Sequence, residues 1–258
     1  MSRVKSIAVA VTVCAALSAI LGAAGAHGAG LTAVKCVKAG AEGGKYANSH
    51  CETPQSPGEF ETVPLELNQT TELEGEAVGT PIAQATIAGI QVQQRCGTID
   101  YASAFKNVVE GEEMRIQGTI SQFTLTECVA VLVGKPTRTC DVEGITAPGG
   151  KGTISFAPMT ASTGPEHKAT IKPAEAEVFT KFKILTTGTE CFFKTAVPVE
   201  VKGSIDAVAN TEKHSHLTFT PATNGNKIKA NGAPATLEAT IKGWMKGEPE
   251  TTVGAETF

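Results

Sequence analysis

Apolar residues recur at every second position through most of this chain, and past residue 26 no segment of ten or more residues carries a clean helical period. Ala176, Val178, Thr180, Phe182 and Ile184 share one side of a strand, with Glu175, Glu177, Lys181 and Lys183 on the other. Val197, Val199, Val201 and Ile205 alternate in the same way with Glu200, Lys202 and Ser204, as do Leu237, Ala239 and Ile241 with Glu238, Thr240 and Lys242. Between Ile120 and Phe123 the alternation slips by one position, which predicts a β-bulge. Further strands are expected within 60–67, 82–94, 129–133, 152–157, 168–172, 191–195, 215–220 and 226–230, and a turn or two of helix within 102–110. Strands apolar on one side and Thr, Lys, Glu or Gln on the other are half-buried and mostly antiparallel. The expected fold is all-β, an antiparallel β-sandwich or flattened barrel, with a small disulfide-closed N-terminal module.

Turn signals divide the chain. Asn224-Gly225 predicts a two-residue hairpin between 217–220 and 227–229, and Pro148-Gly149-Gly150 and Gly164-Pro165 mark further reversals. Residues 27–81 are loop-rich and read as the N-terminal module and a linker, with 68–81 an exposed connection. Strands are continuous over 82–246, the β-sandwich domain. Residues 247–258 offer little to bury and read as a disordered tail.

The first 26 residues have the form of a signal peptide. Arg3 and Lys5 precede an apolar run, and Ala24-Gly25-Ala26 supplies the small residues a signal peptidase requires, so the mature chain is expected to begin at His27. The apolar core is short for a membrane span, and Val13 before Cys14 does not suit lipid attachment. Two of the 22 basic residues and none of the 26 acidic ones lie in this segment, which leaves a mature formal charge of −6. Such a chain has no electrostatic claim on nucleic acid or anionic lipid. It is expected to be secreted, extracellular or at the cell surface, with no membrane attachment after cleavage.

Six cysteines remain, an even number that in an exported chain reads as disulfides. Zinc is disfavoured because no Cys-x-x-Cys occurs. Cys36 and Cys51 flank a Gly-rich loop, and Cys128 and Cys140 flank the turn signal Gly134-Lys135-Pro136. The expected pairs are therefore Cys36–Cys51, Cys128–Cys140 and Cys96–Cys191.

The first module reads Cys36-Val37-Lys38, Gly44-Lys45-Tyr46, Cys51 and Gly58-Glu59-Phe60-Glu61. The second reads Cys96-Gly97, Phe123-Thr124-Leu125-Thr126-Glu127-Cys128, Cys140, Cys191 and Val199-Glu200-Val201-Lys202-Gly203-Ser204-Ile205. Together these resemble a group of secreted, cysteine-containing, β-rich proteins found in many copies in soil actinobacteria of the Thermoleophilia type, a group without an established activity. The sequence departs from that pattern at Phe60, where a tyrosine followed closely by tryptophan is expected. The resemblance implies export and β architecture and carries over no catalytic residue.

Chemistry-bearing motifs are scarce. The chain has three aspartates, Asp100, Asp141 and Asp206, and no Gly-x-Ser-x-Gly or His-Glu-x-x-His pattern. Oxidised cysteines are not nucleophiles. His214 and His216, two apart on a strand, share one face and are the weak candidates for a metal, but no third ligand is identifiable. Leu217 and Phe219 take the core side, so the histidines are expected to face solvent or the sheet edge. Trp244 is read as a core or capping residue, with carbohydrate stacking as its other role. No cofactor is implied. Two functions follow: a secreted, non-catalytic binding or structural protein whose partner is a cell-wall or environmental polysaccharide or another surface protein, or a secreted glycan hydrolase using paired glutamates.

Overall fold

Twenty-one strands account for most of the computed structural model, which describes residues 31–143, 145, 146, 152–158, 167–173, 178–210, 215–224 and 227–257. In chain order they are β1 (Leu31–Lys38), β2 (Gly44–Tyr46), β3 (Pro54–Gly58), β4 (Phe60–Pro64), β5 (Thr71–Ala77), β6 (Ile82–Ile87) and β7 (Ile90–Arg95). Then come β8 (Thr98–Glu110), β9 (Glu113–Thr126), β10 (Val129–Leu132), β11 (Lys135–Asp141), β12 (Ile145–Thr146), β13 (Gly152–Pro158) and β14 (His167–Lys172). The last are β15 (Val178–Ile184), β16 (Val197–Gly203), β17 (Ile205–Asn210), β18 (His216–Phe219), β19 (Ile228–Ala230), β20 (Ala233–Met245) and β21 (Glu248–Thr257). One helical turn, Pro221–Asn224, interrupts them. The protein is all-β and antiparallel, as the alternation requires. The signal segment 1–26, His214, the turn signals at 148–150 and 164–165, and Gly225 lie outside the described residues.

The ladders form two linked sets. In the first, pairings run β8–β9–β13–β14–β17–β18–β20–β5 and return to β8. Leu73, Ile99, Phe105, Ile116, Ile120, Ile171, Phe219 and Ile241 meet on its inner side. In the second, pairings run β15–β16–β19–β20–β6–β7–β10–β11. A bridge between Val142 and Ile184 brings β11 back beside β15. Its core holds Ile87, Val92, Ile184, Phe193, Val199 and Ile228. β20 belongs to both sets, pairing with β6 through Ala235–Glu238 and with β5 through Ile241–Met245.

A third, small sheet orders β21–β1–β4–β2–β3 and brings Leu31, Ala33, Leu65, Val253 and Ala255 to the first core. Fully buried Asn107 docks it. Its Oδ1 accepts from Ala33 N at 2.7 Å, and its Nδ2 donates to Ala33 O at 3.0 Å and Leu65 O at 2.8 Å. Three bonds from one side chain leave no cost of burying an amide unpaired.

Several expectations are corrected. Residues 247–258 were expected to be a disordered tail, but β21 continues from β20 by a tight turn and pairs with β1, burying Thr252, Val253 and Ala255. Residues 102–110 are the second half of strand β8, and 68–81 contains β5, which pairs on both sides. Residues 27–81 are therefore joined to the sandwich by ladders at β5 and, through β21, at β1. The hairpin expected at Asn224-Gly225 does not form among the described residues: β18 pairs with β17 and β20, and β19 with β16 and β20. The bulge between Ile120 and Phe123 is present, with Ser121 as the extra residue between the Ala102–Gln122 and Ser103–Ile120 pairs.

The disulfides are Cys36–Cys51, Cys96–Cys128 and Cys140–Cys191. The first agrees with its spacing. The expected Cys128–Cys140 and Cys96–Cys191 pairs are replaced, and register explains why. Thr98 pairs with Thr126 and Arg95 with Val129 on either side of the β7–β8 and β9–β10 junctions, so Cys96 and Cys128 fall opposite each other, Cα atoms 4.0 Å apart. Cys140 faces Ala130, not Cys128, across the β10–β11 hairpin, and reaches Cys191 in the segment after β15.

Candidate functional site

Where a serine, a histidine and a carboxylate meet, the first question is whether they form a proton relay. Ser215 and His216 open β18, and the disulfide loop of the N-terminal module brings Glu52 to them. Asn48 shapes that loop: its Oδ1 accepts from Glu52 N at 2.9 Å and its backbone carbonyl from Cys51 N at 3.1 Å. Ser215 Oγ donates to Glu52 Oε1 at 3.4 Å, and both Ser215 Oγ (3.4 Å) and Glu52 Oε1 (3.6 Å) sit against Nδ1 of His216. A relay requires the acid on one ring nitrogen and the nucleophile on the other. Here both crowd the same nitrogen, and the serine proton points to the carboxylate. The cluster fastens a loop; it does not activate a nucleophile.

The same loop makes a second contact. Ser49 Oγ donates to Glu250 Oε2 at 3.1 Å, His50 Nε2 lies 3.9 Å from that oxygen, and Thr252 Oγ1 donates to His50 O at 3.1 Å. Thus His216 faces away from the core, as the alternation predicts, yet it is buried, because the Cys36–Cys51 loop covers it. Its expected exposure is corrected. Among the described residues no group of three or more His, Cys, Asp or Glu side chains can hold a metal ion.

Behind His216, a cavity of about 20 Å³ opens between Leu73, Tyr101, Phe105, Ser215, His216 and Leu217. It has room for water, whereas ligand pockets begin at about 300 Å³. Gly75 and Gly243 make space for Tyr101: a Cβ on Gly75 would lie 2.0 Å from its ring, and one on Gly243 would lie 2.3 Å from its hydroxyl. Burial pushes the Tyr101 hydroxyl pKa well above the usual tyrosine value.

Since Gly243 faces inward, Trp244 faces outward. It is half-buried on the outer side of the first set, opposite Glu74 of β5 and Thr252 of β21. Its reading as a core residue is corrected. Around it Glu74 and Glu76 of β5 meet Ala102 and Asp100 of β8, and these in turn meet Gln122 and Thr124 of β9. Alternation alone places Glu74, Glu76 and Asp100 on one face, but only the ladder brings them beside the tryptophan.

Asp206 is the one fully buried carboxylate among the described residues. Burial resists its ionisation. Hydrogen bonds from Lys168, Lys227 and Thr170 more than offset this, holding the carboxyl below the usual aspartate range. Asp206 lies on β17, Lys168 and Thr170 on β14, and Lys227 just before β19, so the cluster ties the two ladder sets together. Three glutamates of the second set are spent in pairs: Glu200 with Lys181 and Lys202, Glu143 with Lys183, Glu190 with Arg138. The lysine hydrogen bonds keep Glu200 below the usual glutamate range, the wrong direction for a general acid.

No protein family, characterised protein or solved structure matches the chain. Three disulfides are those of a chain that folds in an oxidising, extracellular environment, and among the described residues no helix is long and apolar enough to cross a membrane.

Proposed function

We propose that this is a secreted, non-catalytic protein of the extracellular face that acts by binding a polysaccharide or another surface protein. The observation that carries the reading is the Ser215–His216–Glu52 cluster, in which serine and carboxylate share one histidine nitrogen. The reactive side chains that do converge are used to hold the N-terminal loop on the sheet. The accompanying cavity admits only water, while the outer strand faces present Thr, Gln, Glu and Lys suited to a polymer's hydrogen-bonding groups. The signal segment and the three disulfides support export.

The test has two arms. Intact mass of the secreted protein should correspond to a chain beginning at His27. That protein should co-sediment with an insoluble wall polysaccharide at about micromolar concentration while releasing no reducing ends from it. Turnover that disappears on changing a single glutamate to glutamine would establish the hydrolase instead.

A further inference from the structure

The outer face of β20–β5–β8–β9 carries the half-buried Trp244 beside three carboxylates, Glu74, Glu76 and Asp100, that make no ion pair among the described residues. Trp244, Glu74, Ala102 and Gln122 form one cross-strand row, and Lys242, Glu76, Asp100 and Thr124 form the next. Glu72 is neutralised by Lys246 at 2.9 Å. Among the described residues, Glu74, Glu76 and Asp100 have no cation within ion-pair distance. Glu76 and Asp100 are also directly opposite in register and exposed, an arrangement of like charges that weakens a sheet. Lys242, opposite Glu76 on the other side, balances one of the three carboxylates, so the face stays negative by two. On its other flank Trp244 meets Thr252, whose hydroxyl donates to the backbone carbonyl of His50 in the disulfide loop.

Resting on the binding reading above, we propose that this face binds a linear polymer of β-linked amino sugars carrying free amines. The saturated ring of such a sugar lies against the tryptophan, and an ammonium beside an indole is attracted by its π face as well. Amines along the polymer meet Glu74 and Glu76 of β5 and Asp100 of β8, adjacent strands about 4.8 Å apart. These carboxylates do not cluster tightly enough to hold one metal ion, so the charge suits an extended polycation. Lys242 stands against this ligand and limits its affinity.

The test uses the full secreted chain and a hexamer of β-1,4-linked glucosamine, titrated calorimetrically, with the N-acetylated hexamer and hexalysine as competitors of known charge. The glucosamine hexamer should bind at least about tenfold more tightly than the acetylated one, with affinity falling as salt rises. Trp244→Ala should lower affinity about tenfold, the Glu76→Gln/Asp100→Asn pair should lower it and flatten its salt dependence, and Lys242→Ala should raise it. The charge-neutral pair relieves a repulsion, so it remains folded even where loss of the tryptophan does not. Equal binding of the two sugars would overturn the proposal. So would hexalysine binding as tightly as the sugar with Trp244→Ala without effect, or no sugar binding at about millimolar concentration. If the protein still co-sediments with wall polysaccharide after such a failure, the general binding reading stands and only this face is wrong.

Discussion

The two ladder sets are built from interleaved strands yet finish their surfaces differently. In the second set Glu200, Glu143 and Glu190 sit in ion pairs, Lys181–Glu200–Lys202, Lys183–Glu143 and Arg138–Glu190, and a disulfide, Cys140–Cys191, ties the segment after β15 to β11. The first set is closed by packing: β1 and β21 bring Leu31, Ala33, Val253 and Ala255 to its core, and Asn107 docks them. Its outer face sets Glu74, Glu76 and Asp100 beside Trp244 with only Lys242, opposite Glu76, to offset them. The second set gives these three glutamates cations, and the first tolerates a like-charge pair, Glu76 and Asp100, near the outward-facing Trp244. Natural surfaces accept such a loss where a partner relieves it.

The comparison can be broken most forcefully at the disulfide. Replacing Cys140 and Cys191 together with alanine should cost about 4 kcal/mol, read from denaturant unfolding under oxidising conditions. Hydrogen exchange should quicken in β11 and β15 before it does in β8 and β9. Uniform quickening would mean that the two sets unfold as one unit.

Asn107→Leu should cost about 3 kcal/mol, because it takes the side-chain partner from buried Ala33 N and Leu65 O and leaves Ala33 O with Leu65 N alone. The loss should fall on β1 and β21, with the second set unaffected. Retained exchange protection at Ala33 would show that ladder pairing, not the amide, holds the small sheet.

Asp206→Ala should cost about 2 kcal/mol, less than a fully buried pair would, because Lys168 and Lys227 are partly exposed and regain water. The pH dependence has a defined sign. The carboxyl pKa is depressed on folding, so its contribution is complete above about pH 4 and is lost as pH falls through the folded value. The Lys168 pKa is raised, through its hydrogen bond to Asp206, so that contribution is complete below about pH 10 and lost as pH rises through the folded value. Melting temperature against pH should show an acid limb that Asp206→Ala flattens. An unchanged limb would assign acid unfolding to other carboxylates.

The smallest effect separates the two surfaces most directly. Asp100→Asn should raise stability by about 0.5 kcal/mol by removing the repulsion from Glu76, since its other cross-strand neighbour is Thr124. Glu200→Gln should not raise it, because Glu200 meets two lysines. Stabilisation by both, or by neither, would erase the distinction.

The cysteine pairing shows where sequence reasoning stopped. Ile120, Ser121, Gln122 and Phe123 disclose the bulge in β9, because a bulge alters the alternation of its own strand. Had 102–110 been read as a strand, the Gly111–Glu112 turn and that single bulge would have aligned Thr98 with Thr126 and hence Cys96 with Cys128. Residues 102–110 are hard to read because Tyr101, Ser103, Phe105 and Asn107 face inward: polar groups on the core side blur the period-two signal.

By itself, then, the sequence determined that the chain is antiparallel β, which side of most strands faces the core, the bulge at Ser121 and the short Cys36–Cys51 loop. All of these depend on residues close together along the chain. Tertiary structure alone decided that 248–257 is a strand and that His216 is covered by Glu52. It also paired Cys140 with Cys191, separated β18 from β19, and placed Trp244 beside Glu74. A period of two says which way a side chain points, but the identity of the neighbouring strand and its register are set by hydrogen bonds between residues far apart in the chain.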